Sequence, residues 1–365
     1  LLWQTREQAI QAPRGDIRLG FCRDCSHIYN LAFKPELMSY TQAYENSIHF
    51  SPHFQSYAKS LAAQLIDRYD LHGKDIIEIG CGKGDFLRLL CELGGNRGMG
   101  FDPGYAPEQN GWGTTTEAIT FIQDFYSEKY ANYEVDFICC RHVLEHIQFP
   151  RDFLNSVRHS IGNRLKTVVF FEVPNVLFTL RDMGIWDLIY EHCSYFSSSS
   201  LSCLFTSCGF EVCDLNETYE GQFLHVEALS GEGSEKYRVI SRNDLGELTS
   251  DVAVFADKYR RKVKAWQGNL ERTARMGQRV VVWGGGSKGV TFLNTLKIYD
   301  QIEYVVDINP RKQGRYIAGT GQQIMPPEFL RDYQPDVVII MNPIYQSEIQ
   351  QITDKLGLTN DFISV

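Results

Sequence analysis

The chain has 365 residues, of which 43% are apolar and 22% charged, a balance that excludes a disordered protein and leaves room for two or three packed cores. A net charge of −9 argues against general nucleic-acid binding, which needs a basic surface to neutralise phosphates. No apolar run nears the roughly 20 residues that span a bilayer, and the opening lacks the basic-then-apolar layout of a signal peptide. Ten cysteines are scattered, several of them (Cys139, Cys140, Cys203) in apolar stretches, as reduced, buried thiols in a cytoplasmic protein would be. The chain opens on Leu1-Leu-Trp3 rather than methionine, so a preceding segment is expected.

The first forty residues hold Pro13, Gly15, Gly20 and the pair Cys22-x-x-Cys25 with little periodicity, and residues 1–50 are read as an N-terminal segment. From Ser51 to Tyr69, Phe54, Tyr57, Leu61 and Leu65 recur at helical spacing. Strand-like runs then alternate with helical ones. Ile76–Ile79 precedes Phe86–Leu93, Met99–Phe101 stands alone, Phe137–Cys140 precedes Phe153–Val157, and Thr167–Val173 follows. This alternation predicts a parallel sheet with crossover helices over residues 51–232. Ser197–Ser200 is a short serine tract.

Residues 233–250 are polar and read as a linker into a helix whose buried stripe is Phe255, Tyr259, Val263, Trp266 and Leu270. Gly277 ends it, so linker and helix occupy 233–276. A second alternating unit fills 277–365: Arg279–Trp283, Val290–Leu296, Tyr304–Val306, Asp336–Met341 and a last helix from Gln346. The expected fold is α/β, a doubly wound central domain followed by a smaller Rossmann-like C-terminal domain.

Asp75-Ile-Ile-Glu-Ile-Gly-Cys-Gly-Lys-Gly-Asp85 reads as a buried strand entering a turn that opens a helix. Gly80, Gly82 and Gly84 let the backbone turn sharply and approach a ligand closely. About 20 residues on, Asp102 ends the next strand, where an acid can accept from both ribose hydroxyls. Phosphate-binding turns leave the helix start bare for an anion, whereas Glu78 and Asp85 add negative charge here. S-adenosylmethionine, with an ammonium, a sulfonium and no phosphate, suits such a site.

A second glycine turn, Gly284-x-Gly286-x-x-Gly289, follows a valine-rich strand, with Asp307 about 20 residues later. Alone it would suggest NAD(P) and an oxidoreductase. Lys288, Arg311, Lys312 and Arg315 nearby could instead hold a substrate diphosphate. Cys22 and Cys25 form half of a tetrahedral zinc site, which needs four ligands. Residues 1–21 contain no cysteine or histidine, so zinc is expected only where a preceding segment adds a second pair, with His27 as a local candidate.

The first glycine turn resembles the opening motif of class I methyltransferases. Phe121-Ile-Gln-Asp124 looks like the segment whose acid flanks the adenine, and Phe137-Ile-Cys-Cys-Arg-His-Val-Leu-Glu-His146 like the fourth strand and its following turn. Then Tyr190-Glu-His-Cys-Ser-Tyr-Phe-Ser197, Gly221-Gln-Phe-Leu-His-Val-Glu-Ala228, Trp283-Gly-Gly-Gly-Ser-Lys-Gly289 and Val306-Asp-Ile-Asn-Pro-Arg-Lys-Gln-Gly-Arg-Tyr316 follow in order. Together these resemble the three-part C-methyltransferases of nucleotide-linked keto-deoxysugars, built from a zinc-binding N-terminal part, a cofactor domain and a Rossmann-like C-terminal domain. In that family an earlier Cys-x-x-Cys completes the zinc site. The resemblance implies cofactor binding by Glu78, Gly80, Gly82, Gly84, Asp102, Asp124 and His142. The implied partner is a small-molecule substrate, a nucleotide sugar, rather than nucleic acid or membrane.

Methylating the carbon beside a ketone requires a base for its proton and a donor to hold the enolate oxygen. The resemblance assigns His192 as the base and Glu191 as the acid that raises its basicity, with Tyr190, Tyr195 or Tyr44 as donor. His146 is a further candidate substrate contact, and His225 reads as a strand residue. Two departures stand out. Ile189 occupies the position where the family has a tyrosine, and Tyr44-Glu-Asn-Ser-Ile-His-Phe-Ser51 differs from the family's tyrosine- and serine-rich version. Transfer to oxygen or nitrogen of another small molecule is the neighbouring alternative.

Overall fold

The computed structural model describes residues 2–38, 47–106, 118–131, 133–231 and 242–365. The N-terminal segment supplies β1 (Leu2–Trp3), α1 (Arg6–Ile10), β2 (Leu19–Phe21) and β3 (Ile28–Asn30). The central domain runs α2 (Pro52–Tyr69), β4 (Asp75–Ile79), α3 (Asp85–Gly94), β5 (Arg97–Phe101), β6 (Ile119–Ile122), β7 (Phe137–Arg141), α4 (Pro150–Ile161), β8 (Val168–Pro174), α5 (Val176–Leu180), β9 (Ser194–Tyr195), α6 (Ser198–Ser207), β10 (Phe210–Thr218) and β11 (Phe223–Ser230). Its seven-stranded sheet has the order β10-β11-β8-β7-β4-β5-β6. The strands from β8 to β6 are parallel, and β11 runs antiparallel to β8 and to β10.

Period-two alternation builds both faces of this sheet. Ile76, Phe137 and Phe170 turn toward α2 and α3, meeting Leu61, Leu65, Leu87 and Leu90. Their neighbours Ile77, Ile138 and Phe171 turn the other way, onto Leu154 and Val157 of α4 and Leu201 and Phe205 of α6. The helix starts follow local chemistry. Ser51 caps α2, accepting from the Phe54 N–H at 3.3 Å with Pro52 at the first turn. The serine tract is the capping box of α6, in which Ser197 and Ser200 bond reciprocally.

Helix α7 (Arg242–Arg275) begins inside the polar stretch expected to be linker. The reason is Leu248, which is buried and extends the stripe of Phe255, Trp266 and Leu270 back toward the helix start. The C-terminal domain adds β12 (Val280–Trp283), α8 (Ser287–Leu296), β13 (Tyr304–Val306), β14 (Tyr316–Ile317), β15 (Gln323–Met325), α9 (Leu330–Tyr333), β16 (Val337–Ile340), α10 (Gln346–Lys355) and β17 (Asp361–Ser364). Its sheet order is β1-β14-β15-β13-β12-β16-β17, so the first strand of the chain closes the edge of the last domain. The hairpin of β2 and β3 instead takes β9 as a third strand.

The central and C-terminal domains are joined by specific polar contacts. Tyr219 donates to the Tyr345 hydroxyl at 2.7 Å, Ser51 donates to Glu348 at 2.7 Å, and the amides of Gln222 and Asn342 bond reciprocally at 3.1 and 2.9 Å. Among the described residues no helix is long and apolar enough to cross a membrane. All ten cysteines are free; Cys139 and Cys140 are buried as expected, while Cys203 is only half-buried.

Candidate active site: one cleft between two glycine turns

A cleft of about 790 Å³ is walled by both glycine turns, Gly80–Gly84 on one side and Gly284–Gly289 on the other. In each sheet the turn follows a strand at its carboxyl end, and in the central sheet it lies where the strand order reverses beside β4. Doubly wound sheets bind ligands in that crevice.

The first turn is shaped by glycine geometry and by acids. Gly80 has φ +70°, and a Cβ there would lie 2.1 Å from the Val143 Cγ2. Gly82 has φ +54° with open space beside it, which keeps its backbone accessible. The Gly82 N–H donates to Asp102 Oδ2 at 2.9 Å and the Gly104 N–H to Oδ1 at 2.7 Å. Each oxygen keeps a lone pair for a hydroxyl. Burial raises the Asp102 carboxyl, and the two amides partly offset that. Glu78 is buried and accepts from the Leu87 N–H of α3 at 3.0 Å. The amide donors at that helix start therefore meet a carboxyl of the protein itself. Burial pushes Glu78 up to about 8, against the pull of Arg141 and the Leu87 amide. Asp124, at the rim, accepts from the Tyr130 hydroxyl at 2.7 Å and pairs with Lys129, which lowers its carboxyl.

The second turn has the same outline, with lysines added beside its aspartates. The Gly285 N–H donates to Asp307 Oδ2 at 2.8 Å and the Asn309 N–H to Oδ1 at 2.8 Å. The buried ammonium of Lys312 lies 3.2 Å from Oδ2, neutralising the acid. Gly286 caps α8 without a side chain to offer. Lys288, in the first turn of that helix, reaches Asp187 at 2.9 Å and the Gln222 side-chain oxygen at 3.1 Å. Lys288 and Lys312 line the cleft; Arg311, which stacks over Phe50, and Arg315 do not.

The cleft lining also carries His142, Glu145, His146 and His192. The His146 Nδ1 lies 2.9 Å from the Glu191 carbonyl, an acceptor only, so Nδ1 carries the hydrogen and Nε2 holds the lone pair. Burial lowers His146 to about 4. His192 meets it edge-on, with ring centroids 4.9 Å apart. Burial, with His146, His142 and Lys288 nearby, holds the His192 imidazole well below its usual range. His142 adopts φ +55°, lies edge-on to Phe223 and brings Nε2 to 3.0 Å from Glu172. Glu172 also accepts from Arg141 at 2.8 and 3.1 Å and from Tyr57. Burial would raise Glu172, but Arg141, His142 and Tyr57 bring it down to about 2.

Comparison with known proteins points to a methyltransferase. A family model described as a methyltransferase domain matches residues 54–215, and one described as a C-methyltransferase C-terminal domain matches residues 244–362. The C-methyltransferase NovU of Streptomyces niveus is 25% identical over 311 residues, covering 80% of this chain and 72% of its own. The chain is a class I S-adenosylmethionine-dependent methyltransferase. It resembles the sugar C-methyltransferases. Among solved structures, magnesium protoporphyrin IX methyltransferase of Synechocystis PCC 6803 matches with 17% identity and a TM-score of 0.37, covering 52% of this chain and 91% of its own. The riboflavin-analogue dimethyltransferase RosA of Streptomyces davawensis matches with 15% identity and a TM-score of 0.38, covering 48% and 56%.

The methyltransferase brings Glu78, Gly80, Gly82, Asp102, Asp124, His142 and His192 into the lining of this cleft and leaves other candidates away from it. Gly84 caps α3 with φ +83°, packed under the Phe121 ring. Glu191 was expected to pair with His192, yet it does not line the cleft, and its own carboxyl is raised by burial. The carboxyl near His192 is Glu145, which sequence reading passed over. Tyr190 packs against Phe33, and its hydroxyl accepts from the Lys34 N–H at 3.0 Å; Tyr195 donates to the Ile189 carbonyl at 3.1 Å. Neither lines the cleft, whereas Ile189 does. Tyr44 lies outside the described residues. His225 is a buried strand residue of β11, as expected. Glu172 carried a legible signal, a lone charge inside the apolar run Val168–Pro174.

The zinc expectation finds no complete donor set. Cys22 and Cys25 are neighbours whose thiols perturb each other. His27 instead turns its Nε2 to the Ser194 hydroxyl at 3.3 Å. Among the described residues, no group of three or more metal-ligating side chains includes either cysteine. The pair as it stands does not fit a tetrahedral ion.

Proposed function

We propose that this methyltransferase modifies the carbon beside the ketone of a nucleotide-linked keto-deoxysugar. One observation carries the reading: a single cleft joins two glycine turns, the first beside Glu78, Asp85 and Asp102 and the second beside Lys288 and Lys312, each lysine paired with an aspartate. At the first, Asp102 would take the ribose hydroxyls, Glu78 and Asp85 would face the cationic end, and Asp124 and His142 would flank the remainder. Bound there, S-adenosylmethionine supplies an electrophilic methyl group. At the second, the start of α8 with Lys288 and Lys312 would hold the substrate diphosphate. His192, kept in its neutral form by burial, is the base for the carbon-bound proton. The similarity to NovU, a C-methyltransferase, supports transfer to carbon.

A depressed imidazole is a weak base for a C–H bond, and that favours the rival reading of transfer to oxygen or nitrogen. The experiment that separates them is incubation with labelled methyl donor and a panel of thymidine- and uridine-diphosphate keto-deoxysugars, with NMR of the product. Label on carbon, from nucleotide-linked sugars and not from free ones, is the expected result. Label on oxygen or nitrogen would sink the proposal.

A further inference from the structure

Resting on that reading, an enolate oxygen needs a donor, and among the described residues the tyrosines near His192 do not provide one. Tyr190 and Tyr195 are off the cleft wall, their hydroxyls engaged with Lys34 and Ile189. Ile189, which does line the cleft, offers hydrocarbon only. Beside His192 the cleft lining carries the His146 ring and the carboxyl of Glu145.

The fold delivers Glu145 there by a short mechanism. Strand β7 ends at Arg141, and a 3₁₀ turn over Leu144–His146 follows, pinned by Leu144 in the core. Glu145 is 2% exposed, and its Oε2 has no hydrogen-bond partner among the described residues. Oε1 lies 3.8 Å from His142 Nδ1. One oxygen of Glu145 and one ring nitrogen each of His146 and His192 all lie within 4.8 Å of one another. A charged carboxylate with an unsatisfied oxygen is costly at such a site, whereas the neutral acid is a donor looking for an acceptor.

We infer that Glu145 acts as a neutral acid whose O–H holds the acceptor's enolate oxygen while His192 takes the proton from the neighbouring carbon. In this step the C–H bond breaks and its proton goes to His192. The electron pair forms the C=C bond, the carbonyl π pair moves onto oxygen, and Glu145 keeps its proton while its hydrogen bond strengthens. The electrostatics agree. Burial, with the charge of Glu172 adding to it, pushes Glu145 up to about 8. The other groups facing it are His142, His146 and His192, with Cys140 and Cys193 alongside. His146 and His192 are held neutral by burial, so Glu145 holds a proton through the neutral range. A preformed donor of this kind makes the carbon-bound proton more acidic, which is what a weak imidazole base requires.

The test reads enolisation apart from methyl transfer. With S-adenosylhomocysteine bound, a thymidine-diphosphate 4-keto-deoxyhexose is incubated in D₂O, and NMR follows exchange of the hydrogen beside the ketone. Glu145→Ala should slow exchange about 100-fold with S-adenosylhomocysteine affinity unchanged by calorimetry, which also reports folding. Glu145→Gln, an uncharged donor of similar shape, should recover at least about tenfold of that loss. It should also abolish the decline that the wild type shows as pH rises through about 8. Exchange in Glu145→Ala within about twofold of wild type would overturn the inference, as would Glu145→Gln being no better than Glu145→Ala. Stoichiometric metal held by Glu145, His146 and His192, found by elemental analysis and lost in Glu145→Ala, would overturn it too. If the wild type itself fails to exchange and the methyl lands on oxygen or nitrogen, the carbon-methylation reading falls and takes this one with it.

Discussion

At Gly80–Gly84, β4 hands over to α3 and the carboxyl of Glu78 takes the Leu87 amide, so the helix start is already answered by an acid. At Gly284–Gly289, β12 hands over to α8 through a glycine cap, and the charges nearby are the ammonium groups of Lys288 and Lys312, each paired with an aspartate, Asp187 and Asp307. Backbone and topology are nearly the same in the two places: strand, glycine turn, helix, and an aspartate on the next strand bonded to a glycine amide of the turn. What differs is which charges the side chains contribute. A glycine turn says only that something approaches the backbone closely; the charge around it says whether the guest is a cation or an anion.

The contrast can be broken most severely at Lys312. Lys312→Met leaves Asp307 buried without its cation, and the C-terminal domain should lose about 3–5 kcal/mol of stability, measured by denaturant unfolding. Adding Asp307→Asn should restore most of it. A loss below about 1 kcal/mol would mean that this turn is not organised around that pair.

Next in size is Asp102→Ala. On the proposed reading this removes the charged acceptor to which the ribose hydroxyls donate, at about 1.5–3 kcal/mol per hydrogen bond, and should weaken S-adenosylhomocysteine about 100-fold in calorimetry. Thymidine diphosphate affinity should stay within about twofold. Equal losses for both ligands would show that the two turns do not divide the guests between them.

Lys288→Ala is the mirror experiment, with a smaller effect because Lys288 is one of several positive features there. Thymidine diphosphate should bind about tenfold more weakly and with a shallower salt dependence, while S-adenosylhomocysteine is unaffected. The smallest effect concerns Glu78. Raised to about 8, it is neutral below that pH and charged above it. The preference for the sulfonium of S-adenosylmethionine over the uncharged thioether of S-adenosylhomocysteine should therefore grow about threefold as pH rises past this point. In Glu78→Gln the ratio should stay flat; an unchanged slope would remove Glu78 from the account.

Much of this was legible along the chain. The strand runs of the central sheet, the stripe of α7 and both glycine turns follow from period and from glycine spacing, because backbone geometry is a local property. Glu78, Asp102 and Asp307 could be placed for the same reason, each sitting at a set distance from its turn. The acceptor end was read less well. Glu191 precedes His192 in sequence, but adjacent residues point in different directions, and the carboxyl that meets His192 comes from Glu145 at the end of another strand. Tyr190 and Tyr195 flank the same motif and were drawn off the cleft by Lys34, Phe33 and Ile189.

The sequence by itself determined the α/β fold, the first glycine turn and its acidic character, since these need only neighbours a few residues away. Only the tertiary structure decided that both glycine turns open on one cleft, that β1 closes the far edge of the last sheet, and that Glu145 and not Glu191 stands beside His192. Those facts depend on contacts between segments tens to hundreds of residues apart. Such contacts form wherever packing and buried polar pairing leave no better arrangement, and no local pattern encodes them.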